Sequence, residues 1–192
     1  MKILELTNYS AGICGVWNRV KEESIRLHRL GHEVTILSSN HMKGSSELAP
    51  REDEIEGVKI KRFPATKVGG ESYMVWNFEK DLLALRPEII IAHSYRHPHT
   101  TMASKIAKKI NAKCFLVTHA PFSAGNHSLV ARIYIKYFHD PLVGRKTLSR
   151  FDKIIAITKW EYPYLKNLGV KKEKIEYIPN GIPEEFFSYS RL

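Results

Sequence analysis

Glutamine is missing from the 192 residues altogether, and cysteine occurs only at positions 14 and 114. Two cysteines cannot build a disulfide framework. Cys14 follows the first apolar strand and Cys114 begins a later one. In a parallel sheet they stand at opposite edges, roughly 17–20 Å apart, and should not pair. No apolar run approaches the roughly 20 residues of a membrane span. The N-terminus turns polar by Asn8, too soon for the apolar core of a signal peptide, so a cytoplasmic protein is expected. Lys, Glu and Ile are plentiful instead, a bias of heat-adapted chains. Positive charge is in excess: 30 Lys and Arg against 20 Asp and Glu give a net +10. Such a balance suits an anionic partner, whether nucleotide phosphate, nucleic acid or an acidic membrane face.

Short apolar runs alternate with longer amphipathic stretches. Strands are expected near Lys2–Leu6, Glu33–Ser38, Val58–Phe63, Glu88–His93, Lys113–Thr118, Lys153–Thr158 and Lys174–Ile178. Runs such as Ile89-Ile90-Ile91 and Ile154-Ile155-Ala156-Ile157 suit strands covered on both faces, as in a parallel sheet. Val16, Val20, Leu27 and Leu30 share one face of a first helix, which Gly31 fits as a left-handed cap. A second helix carries Met102 to Ile110. A third runs from Leu129 to Phe138, with Pro141 stopping or kinking it. A fourth opens on the capping-box spacing of Thr158 and Glu161 and closes at Gly169, with Pro163 placed awkwardly in its second turn. The stretch His41–Gly57 reads as a loop ending in a small hairpin at Glu56-Gly57. The fold class is therefore α/β, a Rossmann-like, doubly wound, mainly parallel sheet of about six or seven strands with the first strand central.

In open α/β sheets, ligands bind beyond the carboxyl ends of the strands. After the first strand comes Tyr9-Ser10-Ala11-Gly12-Ile13-Cys14-Gly15, leading straight into a helix. Glycines there let backbone approach an anion at a helix N-terminus; they serve equally well as a tight turn. The spacing is not that of the dinucleotide fingerprint. His93 and His119 each end an apolar strand and could hydrogen-bond a ligand in the crevice, or be satisfied by neighbouring backbone. His93, His97 and His99 tempt a metal reading. Pro98 keeps the last two off one helical face and no Cys or carboxylate completes the set, so no metal is expected. Cys14 has no base nearby and is not a nucleophile. Two basic sets, one from Lys105 to Lys113 and one from Arg132 to Arg150, are solvated faces or anion contacts.

Read together, these loops resemble the N-terminal half of GT-B glycosyltransferases of the retaining family-four group. The segments that carry the resemblance are Leu27-His28-Arg29-Leu30-Gly31-His32-Glu33-Val34-Thr35-Ile36-Leu37, Glu56-Gly57-Val58-Lys59-Ile60, Arg86-Pro87-Glu88-Ile89-Ile90-Ile91-Ala92-His93-Ser94 and Val117-Thr118-His119. The last and most specific runs from Phe151 to Ile182 and ends Tyr177-Ile178-Pro179-Asn180-Gly181-Ile182.

The resemblance implies a two-domain enzyme with its active site between Rossmann-like halves. Residues 1–182 would be the acceptor-side N-terminal domain and 183–192 the start of the interdomain linker, the C-terminal donor domain being absent. It implies a nucleotide-sugar donor, a sugar or lipid-linked acceptor, transfer with retention, and no metal or cofactor. His119 matches the family histidine that reaches the transferred sugar. Gly12, Ile13, Cys14 and Gly15 match the loop near the donor phosphate and acceptor, although Ile13-Cys14 separates glycines that are adjacent in many members. His93, Ser94, Thr158 and Asn180 would line the acceptor side of the cleft. Alone, the chain should be inactive. The other class of reading is a stand-alone, non-enzymatic Rossmann-like module that binds a sugar or phosphate. A nucleic-acid binder ranks last, because no RRM, KH, zinc-finger or helix-turn-helix signature is present. Peripheral contact with an anionic membrane at the inner face is expected on charge. Arg132 and Lys136 stand beside Ile133, Tyr134 and Tyr137, but those apolar residues are also what the helix needs to pack on the sheet.

Overall fold

In a computed structural model of the chain, the described residues are 1–69, 73–122 and 129–182. The expected start of a linker, 183–192, lies outside them. An eight-stranded sheet forms the centre: β1 (Lys2–Leu6), β2 (Glu33–Ser39), β3 (Glu52–Ile55), β4 (Val58–Phe63), β7 (Ile89–His93), β8 (Lys113–Val117), β9 (Lys153–Ala156) and β10 (Ile175–Tyr177), in the order β10-β9-β8-β7-β1-β2-β4-β3. All pairings are parallel except β3 on β4. A separate hairpin joins β5 (Ala65–Gly69) and β6 (Tyr73–Trp76).

The apolar runs become strands because both faces are covered. Ile3, Ile91, Val117 and Ile155 pack beneath Trp17, Val20 and Ile25 of α1 (Gly15–Arg29). Their neighbours Leu4, Ile90, Leu116 and Ile154 face the other way. There they meet Ala103, Ile106 and Ala107 of α3 (Pro98–Ile110), and Leu82 of α2 (Glu79–Leu85) and Trp76 join the same core. The period-two alternation of side chains thus sorts each run onto two helical layers. Fully burying one such side chain stabilises by about 1.5–3 kcal/mol.

Several expectations on local structure change. The stretch before Glu56-Gly57 holds an edge strand, β3, closed by a turn with φ of 47° and 83° at those residues, the type I′ geometry of tight hairpins. β5, β6 and α2 were not foreseen; β6 has only four residues of alternating burial, too short a period to stand out. Pro163 is the third residue of α6 (Glu161–Asn167), in its first turn, where a helical N–H has no partner to lose. Pro141 does not end the third helix. α4 (Leu129–Tyr134) passes into a π-helical stretch, Ile135–Gly144, that spans the proline and leads into α5 (Arg145–Leu148).

That segment is also anchored differently from an ordinary amphipathic helix. α4 has no buried residue, whereas Asp140 is buried in the π stretch. Arg96 reaches Asp140 with Nε at 3.0 Å and a second nitrogen at 2.6 Å, and the Tyr95 hydroxyl donates at 3.1 Å. Burial would raise the Asp140 carboxyl, but the bonds from His139 and Arg96, the Arg96 charge and the Tyr95 bond outweigh it and hold the group at about 2. A polar clamp therefore holds the segment where apolar packing does not.

Candidate functional site

Because β1, β7, β8, β9 and β10 run parallel, the residues that follow them share one carboxyl edge of the sheet. Gly12–Gly15, Ser94, His119, Thr158 and Asn180 all lie there. Cys14 and Cys114 are both free.

The glycine loop rests on a neighbouring strand of loop. Ile13 N donates to Lys43 O at 3.3 Å, and Lys43 N to Ala11 O at 3.1 Å. Gly12 has a φ of +83°, and a Cβ there would run into the Lys43 backbone. A Cβ on Gly15, the first residue of α1, would meet open space. Behind the loop the buried Arg62 donates to Ser10 Oγ at 2.7 Å and to Ser10 O at 3.1 Å, and to Pro50 O and Asp53. Ile13, at the tip, is 94% exposed.

His119 sits on a pair of left-handed residues, His119 at φ 57° and Ala120 at 51°; on the adjacent loop Ser94 and Arg96 are left-handed too, at 74° and 71°. Non-glycine residues in that region cost of order 1–3 kcal/mol each, and such clusters mark functional sites. The preceding Thr118 is fixed by Glu161, which is buried and accepts from the Thr118 hydroxyl, from Ile157 N at 2.9 Å and from Thr158 N at 3.0 Å. One satisfied carboxylate thus ties the ends of β8 and β9 to the start of α6.

His119 Nε2 lies 3.0 Å from His93 Nδ1, and His93 Nε2 lies 2.6 Å from Glu5 Oε2. Glu5 and His93 are wholly buried, while His119 is half-buried. Desolvation lowers His119 to about 2, helped by the charges of His93, Arg19 and His97, and it lowers His93 to about 4. Both rings are therefore neutral at ordinary pH. Burial raises Glu5 to about 8 against the pull of Arg19. Glu23, on α1, is also raised, by burial first and then by the Glu5 charge. Glu5, Glu23 and His93 bring ligand-type atoms within 4.8 Å of one another. Arg19 already supplies a cation there, donating to Glu23 at 3.3 Å, and both nitrogens of His93 are engaged.

Two expected cleft residues take other places. His93 is buried one layer behind His119 and has no surface to offer a ligand. The Thr158 hydroxyl donates to Glu161 at 3.1 Å and is turned inward. Ser94 is half-buried, and its hydroxyl makes no hydrogen bond among the described residues. Asn180 is exposed, and its Oδ1 accepts from Arg19 at 2.9 Å, pinning the Pro179-Asn180-Gly181 turn to α1. His97 and His99 do not converge with His93: His97 Nδ1 meets Asn8 Nδ2 at 2.9 Å, and His99 Nε2 donates to His93 O at 2.8 Å. Sequence reasoning missed Glu5, Arg19 and Arg62. A lone glutamate inside the central apolar strand Lys-Ile-Leu-Glu-Leu was the available signal for Glu5.

The sequence model of Glycosyltransferase Family 4 matches residues 13–186. The chain belongs to Glycosyltransferase Family 4. No curated protein matches it. Among solved structures it is similar to sucrose-phosphate synthase from Thermosynechococcus elongatus, at 13% identity over 94% of this chain and 48% of that one, with a TM-score of 0.60. Anabaena HepE, solved with UDP and glucose, gives 12% identity over 95% and 45%, with a TM-score of 0.63. WaaG, a glycosyltransferase involved in lipopolysaccharide biosynthesis, gives 9% over 95% and 46%, at 0.53. At such identities the likeness establishes the fold, a Rossmann-like GT-B domain. This family-4 chain spans a little under half the length of each of those proteins. Among the described residues, no helix is long and apolar enough to cross a membrane.

Proposed function

We propose that this family-4 domain is the acceptor-side half of a glycosyltransferase that moves a sugar from a nucleotide-sugar donor to an acceptor with retention. The observation that carries the reading is the joint placement of Gly12–Gly15 and His119 at one sheet edge of a family-4 fold. In this reading Gly15 and the N-terminus of α1 accept the donor phosphate or the acceptor, in the space where no Cβ stands. His119 offers its free ring nitrogen to the transferred sugar. The fully exposed Ile13 is covered only when substrate or a second domain closes over the loop. HepE has been solved with UDP-glucose, which supports a nucleoside-diphosphate sugar here.

The donor half lies outside these 192 residues on this reading. A departing diphosphate needs hydrogen-bond donors aimed at its growing charge, and one glycine loop is too few. The chain alone is therefore inactive. The test is a panel of nucleotide sugars offered to the full-length protein and to residues 1–192, with the product anomer read by NMR. Transfer with retention by the full-length protein only is the expected result. Binding without transfer by both would favour the stand-alone sugar- or phosphate-binding module, and inversion would remove the retaining assignment.

The acceptor side also faces a cation-rich surface. A cavity of about 440 Å³ is lined by Arg96, Phe122, Arg132, Lys136, Arg145 and Tyr164, with Phe122 and Tyr164 stacked at 5.2 Å. It borders the α4 and π segment, whose apolar side chains stand exposed. Peripheral docking of that segment on an anionic membrane would bring a lipid-linked acceptor to the cleft.

A further inference from the structure

Below His119 the buried groups form one hydrogen-bonded line, from Glu5 through His93 to His119. Neither imidazole is charged at ordinary pH, so each carries one ring proton, and the direction of the bonds along the line is set at its inner end. If Glu5 is protonated, its O–H donates to His93 Nε2. His93 then holds its proton on Nδ1 and donates to His119 Nε2, which leaves the proton of His119 on Nδ1. If Glu5 is ionised, His93 donates from Nε2 and accepts at Nδ1. His119 must then carry its proton on Nε2, and its Nδ1 is bare. One proton passes from Glu5 to solvent between the two states, and each imidazole proton moves to the opposite nitrogen of its own ring.

We propose that Glu5 and His93 are positioning residues that set the hydrogen-bond polarity of His119, making its Nδ1 a donor when Glu5 is protonated and an acceptor when Glu5 is ionised. His119 Nε2 is used up by His93, and Nδ1 has no hydrogen-bond partner among the described residues and is not sealed from solvent. The outer nitrogen is therefore the one free to meet a ligand. The inner end also favours the protonated carboxyl on geometry. Glu5 is wholly buried on β1, and its Oε1 has no hydrogen-bond partner. An ionised carboxylate with an empty oxygen would be costly there, and a neutral one much less so.

The charged and titratable groups around Glu5 are Arg19 and Glu23, both from α1, and His93, from β7. Burial disfavours ionisation of Glu5 and outweighs the pull of Arg19, and the Glu5 charge in turn raises Glu23. Glu5 accordingly titrates at about 8. In the acidic arm of that range His119 donates to a sugar hydroxyl; in the alkaline arm it accepts from one. The functional meaning rests on the reading of His119 as the sugar-facing group. The relay itself does not.

The test reads the ring nitrogens directly. In the protein carrying isotope-labelled histidine nitrogens, a protonated and a bare ring nitrogen resonate far apart, so the tautomer of His119 can be followed against pH without substrate. The expected result is a proton on Nδ1 of His119 below about pH 8 and on Nε2 above it, with His93 switching in step. In Glu5→Gln the amide cannot titrate, and His119 should keep one tautomer across the whole range. A wild-type His119 tautomer that does not change across this range overturns the proposal, as does a switch that persists in Glu5→Gln. If the variant fails to fold, the wild-type titration alone decides. Loss of the glycosyltransferase reading would show as absent transfer with the tautomer switch intact, so the two failures are distinguishable.

Discussion

A Cβ placed on Gly12 would lie 2.7 Å from the backbone nitrogen of Lys43 and closer still to its carbonyl oxygen. Gly12 is thus required by the fold, while Gly15, in open space three residues on, is not. Gly12→Ala should destabilise by about 1–3 kcal/mol, adding left-handed strain to a backbone clash. For a domain of this size that is a melting temperature lower by roughly 2–4 °C per kcal/mol. Gly15→Ala should leave stability within about 0.5 kcal/mol yet reduce transfer by the full-length enzyme, because its methyl group enters the ligand space. Calorimetry beside donor kinetics checks both; a Gly15→Ala enzyme with unchanged KM and kcat would show that no ligand approaches there.

His119→Ala in the full-length enzyme should slow transfer by about a hundred- to a thousandfold, the scale of losing one hydrogen bond that strengthens in the transition state. The melting temperature should move little, since His119 is half-buried at the sheet edge and the left-handed backbone remains. His119→Asn is the partner variant, because asparagine tolerates that backbone well. Steady-state kinetics that show full activity in both variants would make His119 structural or idle.

Stability should peak near pH 6.5. The buried His93 and His99 and the half-buried His119 are neutral, held by desolvation at about 4, about 3 and about 2 against an ordinary 6.5. Each gains a proton more readily when unfolded, so stability falls as pH drops below 6.5. Glu5 acts in the opposite sense. Raised from 4.5 to about 8, it keeps a proton in the folded state that the unfolded state releases, so stability falls as pH rises through that window. Glu23, also raised, adds to the same slope. Below 6.5 three histidines outweigh these carboxyls; above it the carboxyls act alone. Melting temperatures across the range would show the peak, and Glu5→Gln should flatten its alkaline side. A melting temperature that rises steadily from pH 6.5 to 8 would contradict the assignment.

The sheet was legible in the sequence because Ile89–Ile91 and Ile154–Ile155 are apolar on both faces, a pattern that suits a doubly covered strand. The carboxyl-edge loops follow from the parallel topology, which puts His119 and the glycine loop at one sheet edge. What was not legible depends on contacts between residues distant along the chain. Nothing in the local sequence of Ala-His-Ser says that His93 lies under α1, since that follows from the parity of Ile91 and His93 in β7. The Arg19 to Asn180 contact spans 161 positions, and no local pattern encodes it. The capping-box spacing of Thr158 and Glu161 holds only in half: Glu161 accepts from Thr158 N, but the helix begins at Glu161 behind Trp160, and the Thr158 hydroxyl donates to the carboxylate where a capping box would have it accept from backbone. The third helix was legible as amphipathic, but its burial was not, because the clamp of Arg96 and Tyr95 on Asp140 replaces the apolar packing that such a pattern ordinarily implies.

That replacement makes the membrane prediction specific. If the apolar residues of α4 and the π stretch packed on the sheet, they would have no surface to offer. Instead Val130 is 77% exposed and Leu142 70%, and Ile133, Tyr134, Tyr137 and Phe138 are exposed as well. Arg132 and Lys136 lie on the same stretch and Arg145 and Lys146 follow it in α5, and the one acid there, Asp140, is committed to Arg96. Each basic side chain near an anionic surface contributes about 1 kcal/mol, fading within a Debye length of about 8 Å at physiological salt. The exposed aromatic and aliphatic groups add an attraction that salt does not screen. Sedimentation with vesicles should therefore show binding to anionic bilayers at low salt, partial loss at high salt, and little recovery with neutral ones. Replacing Tyr137 and Phe138 by serine should leave the melting temperature nearly unchanged, because exposed sites shift stability by no more than about 0.5 kcal/mol, while lowering vesicle binding. Equal amounts of protein in every supernatant would end the idea. Concentration-dependent self-association that disappears in the serine variant would assign the face to a second copy of the chain instead.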